Sequence, residues 1–116
     1  MNKGKKVSGG RYTKNRKKKL YEIAGQKKNT KLGEERRKIK KTKGGNKKTF
    51  LLGVKFVNIP KKKKAEIKNV VETPSNKFLA RQNIITKGTI VETELGKVKI
   101  TNRPTQEGIL NGILIK

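Results

Sequence analysis

The stretch Thr89-Ile90-Val91-Glu92-Thr93-Glu94-Leu95-Gly96-Lys97-Val98-Lys99-Ile100-Thr101 decides the fold of this chain. Two runs rich in β-branched residues, Thr89 to Thr93 and Lys97 to Thr101, flank Glu94-Leu95-Gly96. Such side chains suit a pleated, half-buried surface, and a short connection containing Gly joins antiparallel strands, so the stretch reads as a β-hairpin.

Outward from this hairpin, turn formers interrupt the apolar runs at intervals of roughly eight to twelve residues. Phe50, Leu52, Val54 and Phe56 alternate with Leu51, Gly53, Lys55 and Val57. This alternation predicts a strand with the first set on its buried face and the phenylalanines in the core. Pro60 and the lysines Lys61 to Lys64 read as its solvated end. Ala65 to Glu72 predicts a second strand, stopped at Thr73-Pro74-Ser75-Asn76, where Pro fixes φ and Asn tolerates the left-handed region. Phe78 to Arg81 and Asn83 to Thr86 fit two short strands or one bent one. Ile109 to Ile115, interrupted by Asn111-Gly112, fits a bulged closing strand. About six short strands without a long amphipathic helix predict an all-β fold, a small antiparallel barrel, because closure removes strand edges. A two-sheet sandwich is the alternative.

The charge is distributed unevenly along the chain. Among 116 residues there are 33 Lys and Arg against 8 acids, a net charge of +25, and only 30% of residues are hydrophobic. Residues 1 to 49 hold 20 of the basic residues and three acids, giving +17, with nine hydrophobic residues; the remaining 67 hold 26 hydrophobic residues. The chain therefore reads as a basic RNA-tracking extension, 1–48, disordered when free, followed by a β-barrel domain, 49–116. Within the extension, Arg16 to Ala24 and Glu34 to Lys41 each fit about two helical turns that a partner would have to order.

Composition also narrows the chemistry. The chain has no Cys, no His and no Asp, which removes disulfides, thiolate metal sites and the commonest general base. No catalytic residue, metal, cofactor or small-molecule substrate is expected. No apolar run suits a membrane span and no secretory signal is visible, so a cytoplasmic chain is expected. Solubility of a small domain needs a net charge of only about 2 to 8, so the excess points to a polyanion. Membrane-surface binding is disfavoured, because the basic half contains neither Trp nor Phe.

The candidate RNA contacts are the basic clusters Lys5, Lys6 and Arg11; Arg16, Lys17, Lys18 and Lys19; Lys27, Lys28 and Lys31; Arg36 and Arg37, in one run with Lys38; Lys40, Lys41 and Lys43; and Lys47 and Lys48. Lys3 belongs to the first of these runs. Arg81, Lys87 and Arg103 extend the set onto the barrel. An extended chain covers about 3.3 to 3.6 Å per residue, enough for the basic half to follow phosphates for well over about 100 Å. Gly44-Gly45-Asn46 permits positive φ and a close backbone approach, which suits either a phosphate-contacting turn or a hinge between extension and barrel. Aromatic residues are only 4% of the chain, which favours recognition of backbone and shape in folded RNA over stacking on single strands. A free-standing RNA chaperone or translation-factor-like module shares these features. A basic chromatin protein fits less well, since nothing in the basic half forms a recognition helix.

Three blocks carry a family resemblance: Ser8-Gly9-Gly10-Arg11 with Arg16-Lys17-Lys18-Lys19-Leu20-Tyr21-Glu22; Asn29-Thr30-Lys31-Leu32-Gly33 leading into Thr42-Lys43-Gly44-Gly45-Asn46-Lys47; and Arg81-Gln82-Asn83-Ile84-Ile85-Thr86-Lys87-Gly88. In this order the chain resembles the archaeal members of the S8e family of small-subunit ribosomal proteins. The resemblance implies a structural protein, not an enzyme, with a β-barrel body and a basic extension running along small-subunit ribosomal RNA beside neighbouring ribosomal proteins. It also implies that Gly44-Gly45-Asn46 is an RNA-contacting or closely packed turn.

Overall fold

The computed structural model of the chain describes residues 4–12, 16–61 and 63–115. Lys3 and Lys62, which the sequence reading placed in a cationic cluster and in a loop, lie outside them. Among the described residues, nine strands form two sheets that share one core. The strands are β1 (Thr30–Leu32), β2 (Arg36–Lys41), β3 (Lys47–Val54), β4 (Phe56–Ile59), β5 (Lys63–Glu72), β6 (Ile84–Ile85), β7 (Ile90–Thr93), β8 (Gly96–Ile100) and β9 (Gly112–Leu114). Two short helices, α1 (Lys77–Arg81) and α2 (Pro104–Glu107), lie between them.

The larger sheet runs β4-β5-β7-β8-β9 with antiparallel neighbours. Its two edges meet where Asn58 bridges to Asn111, and the Asn58 amide donates to the Leu110 carbonyl at 2.9 Å. The result is a nearly closed barrel, as the spacing of short strands predicts. Asn102 holds the returning chain in place: its Nδ2 donates to Ile109 O at 2.7 Å and its Oδ1 accepts from Asn111 N at 2.9 Å. The β7–β8 hairpin forms where expected, with Val91 and Val98 fully buried.

The smaller sheet runs β2-β3-β1-β6, with β1 parallel to β3 and antiparallel to β6. It joins the barrel through one nearly continuous strand. β3 leaves the small sheet at Val54, Lys55 stands between, and β4 enters the barrel at Phe56; the Lys55 carbonyl accepts from Ile67 N at 2.9 Å. Thr30, fully buried, donates from Oγ1 to Leu51 O at 2.6 Å and fixes β1 against β3. Gly53 is required here by close approach, because a Cβ at this position would lie 2.1 Å from the Glu34 carbonyl oxygen.

Several expectations are corrected. Of the set expected on the buried face only Val54 is buried; the other buried side chains are Leu51, Val57 and Ile59, whereas Phe50 and Leu52 are half-buried and Phe56 is exposed. Leu51, Gly53, Val57 and Ile59 keep one phase through the break at Lys55, and the exposed Lys55 and the glycine in that set hid it from the apolar pattern. Phe78 to Arg81 is the helix α1, because Asn76 caps it by accepting from Phe78 N at 3.0 Å. Its Phe78 is exposed, not in the core. Lys63 and Lys64 lie within β5, paired with Ile59 and Asn58. Glu34 to Lys41 is not helical: β2 satisfies its backbone by pairing with β3, and no apolar stripe competes for it. Of Arg16 to Ala24, only Leu20–Glu22 turns, as a single 3-10 turn. The change in composition at Thr49 falls inside β3.

Candidate nucleic-acid interface

The register of β2 on β3 determines which cations meet. Lys38 lies opposite Phe50 and Lys40 opposite Lys48, and side chains opposite one another in an antiparallel pair share a face. Lys38 and Lys40 therefore form one row and Lys48 and Phe50 the adjacent one; beyond the bulge between Arg36 and Arg37, Arg36 and Leu52 line the same groove. The segment Gly25–Asn29 runs along this face. Between them lies an open groove of about 560 Å³, lined by Lys27, Lys28, Lys31, Arg36, Lys38 and Leu52, together with the Gly25–Asn29 backbone.

Lys28 is the centre of this groove. Its Nζ sits 3.6 Å from the centroid of the Phe50 ring, and Lys48 Nζ is 5.8 Å from the same centroid. Partial burial lowers the Lys28 pKa, and repulsion from Lys40, Lys38 and Lys48 lowers it further. An ammonium held among like charges without a carboxylate is a site of positive potential that an anion would relieve.

A second cavity, about 250 Å³, opens on the other side of the same segment. Lys27, Lys28 and Asn29 are shared by both, and Lys87, Arg103, Thr86 and Gln106 supply the far wall. The two cavities form a continuous cationic surface across the junction of the sheets. Of the sequence candidates, Lys27, Lys28, Lys31, Arg36, Lys87 and Arg103 line it, and Lys40 and Lys48 stand close enough to Lys28 to repel its charge.

Other candidates point elsewhere. Arg37 is on the opposite face of β2, where Nε donates to Gly108 O at 2.9 Å and the guanidinium pairs with Glu35. Arg16 pairs with Glu22, whose carboxyl is held below the ordinary range by that guanidinium and by the Lys19 N–H. Arg81 lies 5.8 Å from the ring of Phe78 on α1, away from both grooves. Lys5, Lys6 and Arg11 flank a small turn in which Lys6 N donates to Gly10 O at 2.8 Å and Lys5 bridges to Arg11. Lys17, Lys18 and Lys19 are exposed in the segment before the Leu20–Glu22 turn.

Lys41, Lys43 and Lys47 stand at the end of the β2–β3 hairpin, which Gly44-Gly45-Asn46 closes. Gly44 and Gly45 have φ of 83° and 82°, and Thr42 N donates to Asn46 O at 2.6 Å. The reading of these residues as a hinge between extension and barrel is corrected, since they connect two paired strands of one sheet. Nothing lies within 4 Å of where a Cβ would stand on either glycine, so they serve the turn and not an internal close approach. The sequence puts Lys38 in a basic run without marking it as a contact, and it suggests a core position for Phe50. The signal for Lys38 was the register: once Glu34 to Lys41 is a strand, Lys38 falls between Arg36 and Lys40 on one face.

Comparison with known proteins gives the chain a family. The family described as ribosomal protein S8e matches residues 1–115. A small ribosomal subunit protein eS8 from Staphylothermus marinus is 48% identical, over 97% of this chain and 92% of its own length. Proteins of the same name from Sulfurisphaera tokodaii and Nanoarchaeum equitans are 45% and 44% identical, over 97% and 95% of this chain and 92% and 91% of their own. These relatives are named as ribosomal proteins, not as enzymes. With a match along nearly its whole length and a cationic surface built where two small sheets join, the chain belongs to the S8e family of ribosomal proteins.

Proposed function

We propose that this protein is a structural constituent of the small ribosomal subunit in the cytoplasm, where it binds and stabilises folded small-subunit ribosomal RNA and abuts neighbouring ribosomal proteins. The observation that carries this reading is the continuous cationic surface on both sides of Lys27–Asn29. The basic half, residues 1 to about 48, lies along the RNA. In the free protein few apolar contacts hold this half, and the segment before Thr30, with β1 and β2, opens first.

Two measurements test the reading. If about ten cations meet phosphates, the log-log salt slope of binding to subunit RNA is on the order of −7 to −9, and crosslinks in native subunits run from the basic half to RNA. A flat salt dependence would sink the claim. A structural constituent remains with purified subunits in high salt, whereas a transient chaperone washes off. The division of the chain is tested by brief trypsin treatment of the free protein. Cleavage after Lys17 precedes cleavage after Lys99, and equal protection of both overturns it.

A further inference from the structure

Phe50 is the aromatic ring at the centre of the cationic face, and its position raises the question of whether the groove reads bases or backbone. A ring in such a surface commonly serves as a platform for an unstacked base. Here the ring carries the Lys28 ammonium at 3.6 Å from its centroid, with Lys48 at 5.8 Å. Cations over a ring hold the region where a base would stack. The same ring is half-buried, and its strand partner Lys38 stands beside it.

We propose that the groove between Gly25–Asn29 and the outer face of β2 and β3 is a backbone-phosphate site, in which Lys28, Lys38, Lys40 and Lys48 hold successive diester oxygens of duplex RNA and Phe50 seats the Lys28 ammonium. This deepens the RNA-binding reading above and rests on it. The site reads charge and spacing, so it is indifferent to base identity. The lowered pKa of Lys28 is consistent with a cation cluster that gains from an anion.

The test uses the full chain and a labelled RNA duplex, with a single strand of the same length as comparison. Lys28→Gln and Lys38→Gln each reduce the salt slope for the duplex by about one unit. Phe50→Leu leaves that slope unchanged, because no charge is lost, and weakens duplexes of different base composition by the same factor. Inorganic phosphate displaces the RNA no better than chloride at matched ionic strength, as expected of a site for consecutive diesters. The proposal is overturned if Lys28→Gln and Lys38→Gln both leave the slope intact while the parent binds. It is equally overturned if the parent prefers the single strand tenfold and Phe50→Leu abolishes that preference, which would make the ring a base platform. Selective displacement by inorganic phosphate would make the groove a free-ion site and also overturn it. Thermal unfolding checks each variant. If Phe50→Leu does not fold, the two surface glutamine variants decide the outcome. Failure of the parent to bind any RNA would instead remove the broader reading.

Discussion

β2 and β8 are short strands of one small protein, yet different interactions hold them. All six residues of β2 are exposed and five are cations, while β8 lies between β7 and β9 and buries Val98 and Ile100. β2 takes its shape from backbone pairing with β3 and from the Arg37 bond to Gly108. β8 takes its shape from side chains packed inside the barrel. The difference shows how a chain with so little apolar content can be both folded and highly charged. The barrel supplies the packing, and β3, continuous with it, is the template on which a strand of lysines is laid.

The contrast is sharpest for core truncation. Ile100→Ala, at a residue 1% exposed, is expected to cost about 2 to 5 kcal/mol. Ile39→Ala on β2, at a residue 64% exposed, is expected to change stability by no more than about 0.5 kcal/mol. Urea unfolding measures both, and comparable losses would mean that β2 is held by side-chain packing after all.

Gly53→Ala comes next. Its Cβ would collide with the Glu34 carbonyl, so a loss of about 1 to 3 kcal/mol is expected, concentrated in the small sheet. In hydrogen exchange, the amides of β1 and β2 lose protection while those of β7 and β8 keep it. Uniform loss across both sheets would show that they open as one unit.

α1 leads from β5 of the barrel to β6 of the small sheet, and Asn76 caps it. Asn76→Ala is expected to cost about 1 kcal/mol and Asn76→Gly only a few tenths. If Ala and Gly were equally tolerated, the cap would contribute nothing to the connection.

The smallest effect concerns Lys28. Its folded-state pKa lies below the ordinary 10.5, so the folded state disfavours the charged form, and the penalty is fully present below the folded pKa. It is relieved as pH rises through the folded value toward 10.5. At low salt and neutral pH, Lys28→Met should melt slightly higher than the parent, with the difference shrinking as pH approaches 10.5. A difference independent of pH would assign the effect to packing instead of charge.

The hairpin of β7 and β8 was legible because both runs are rich in β-branched residues and Gly96, at φ 118°, fits the turn. The barrel class followed from repeated signals of the same kind. β1 and β2 were hidden, because strands held by backbone pairing need no apolar signature, and a run such as Arg36-Arg37-Lys38-Ile39-Lys40-Lys41 resembles a solvated coil. α1 was hidden for a local reason: Asn76 reads equally as a turn residue and as a helix cap. The cationic character of the site was plain in composition. Which cations share a groove was not, because that depends on the β2–β3 register and on the return of β6 and α2 from the far end of the chain.

The pairing of β1 has a consequence for the order of events in synthesis. Thr30 pairs with Ile85, and Lys31 with both Gly53 and Ile84. A ribosome makes the chain from its N-terminus, at about 5 to 20 residues per second, so β1 leaves the exit tunnel seconds before its last partner exists. Contacts this distant in sequence close late, after local hairpins such as β7–β8. During that interval β1 lacks its neighbour β6, and the basic residues before it lie open to any nucleic acid nearby. The small sheet is thus left incomplete while its cations can already meet a polyanion.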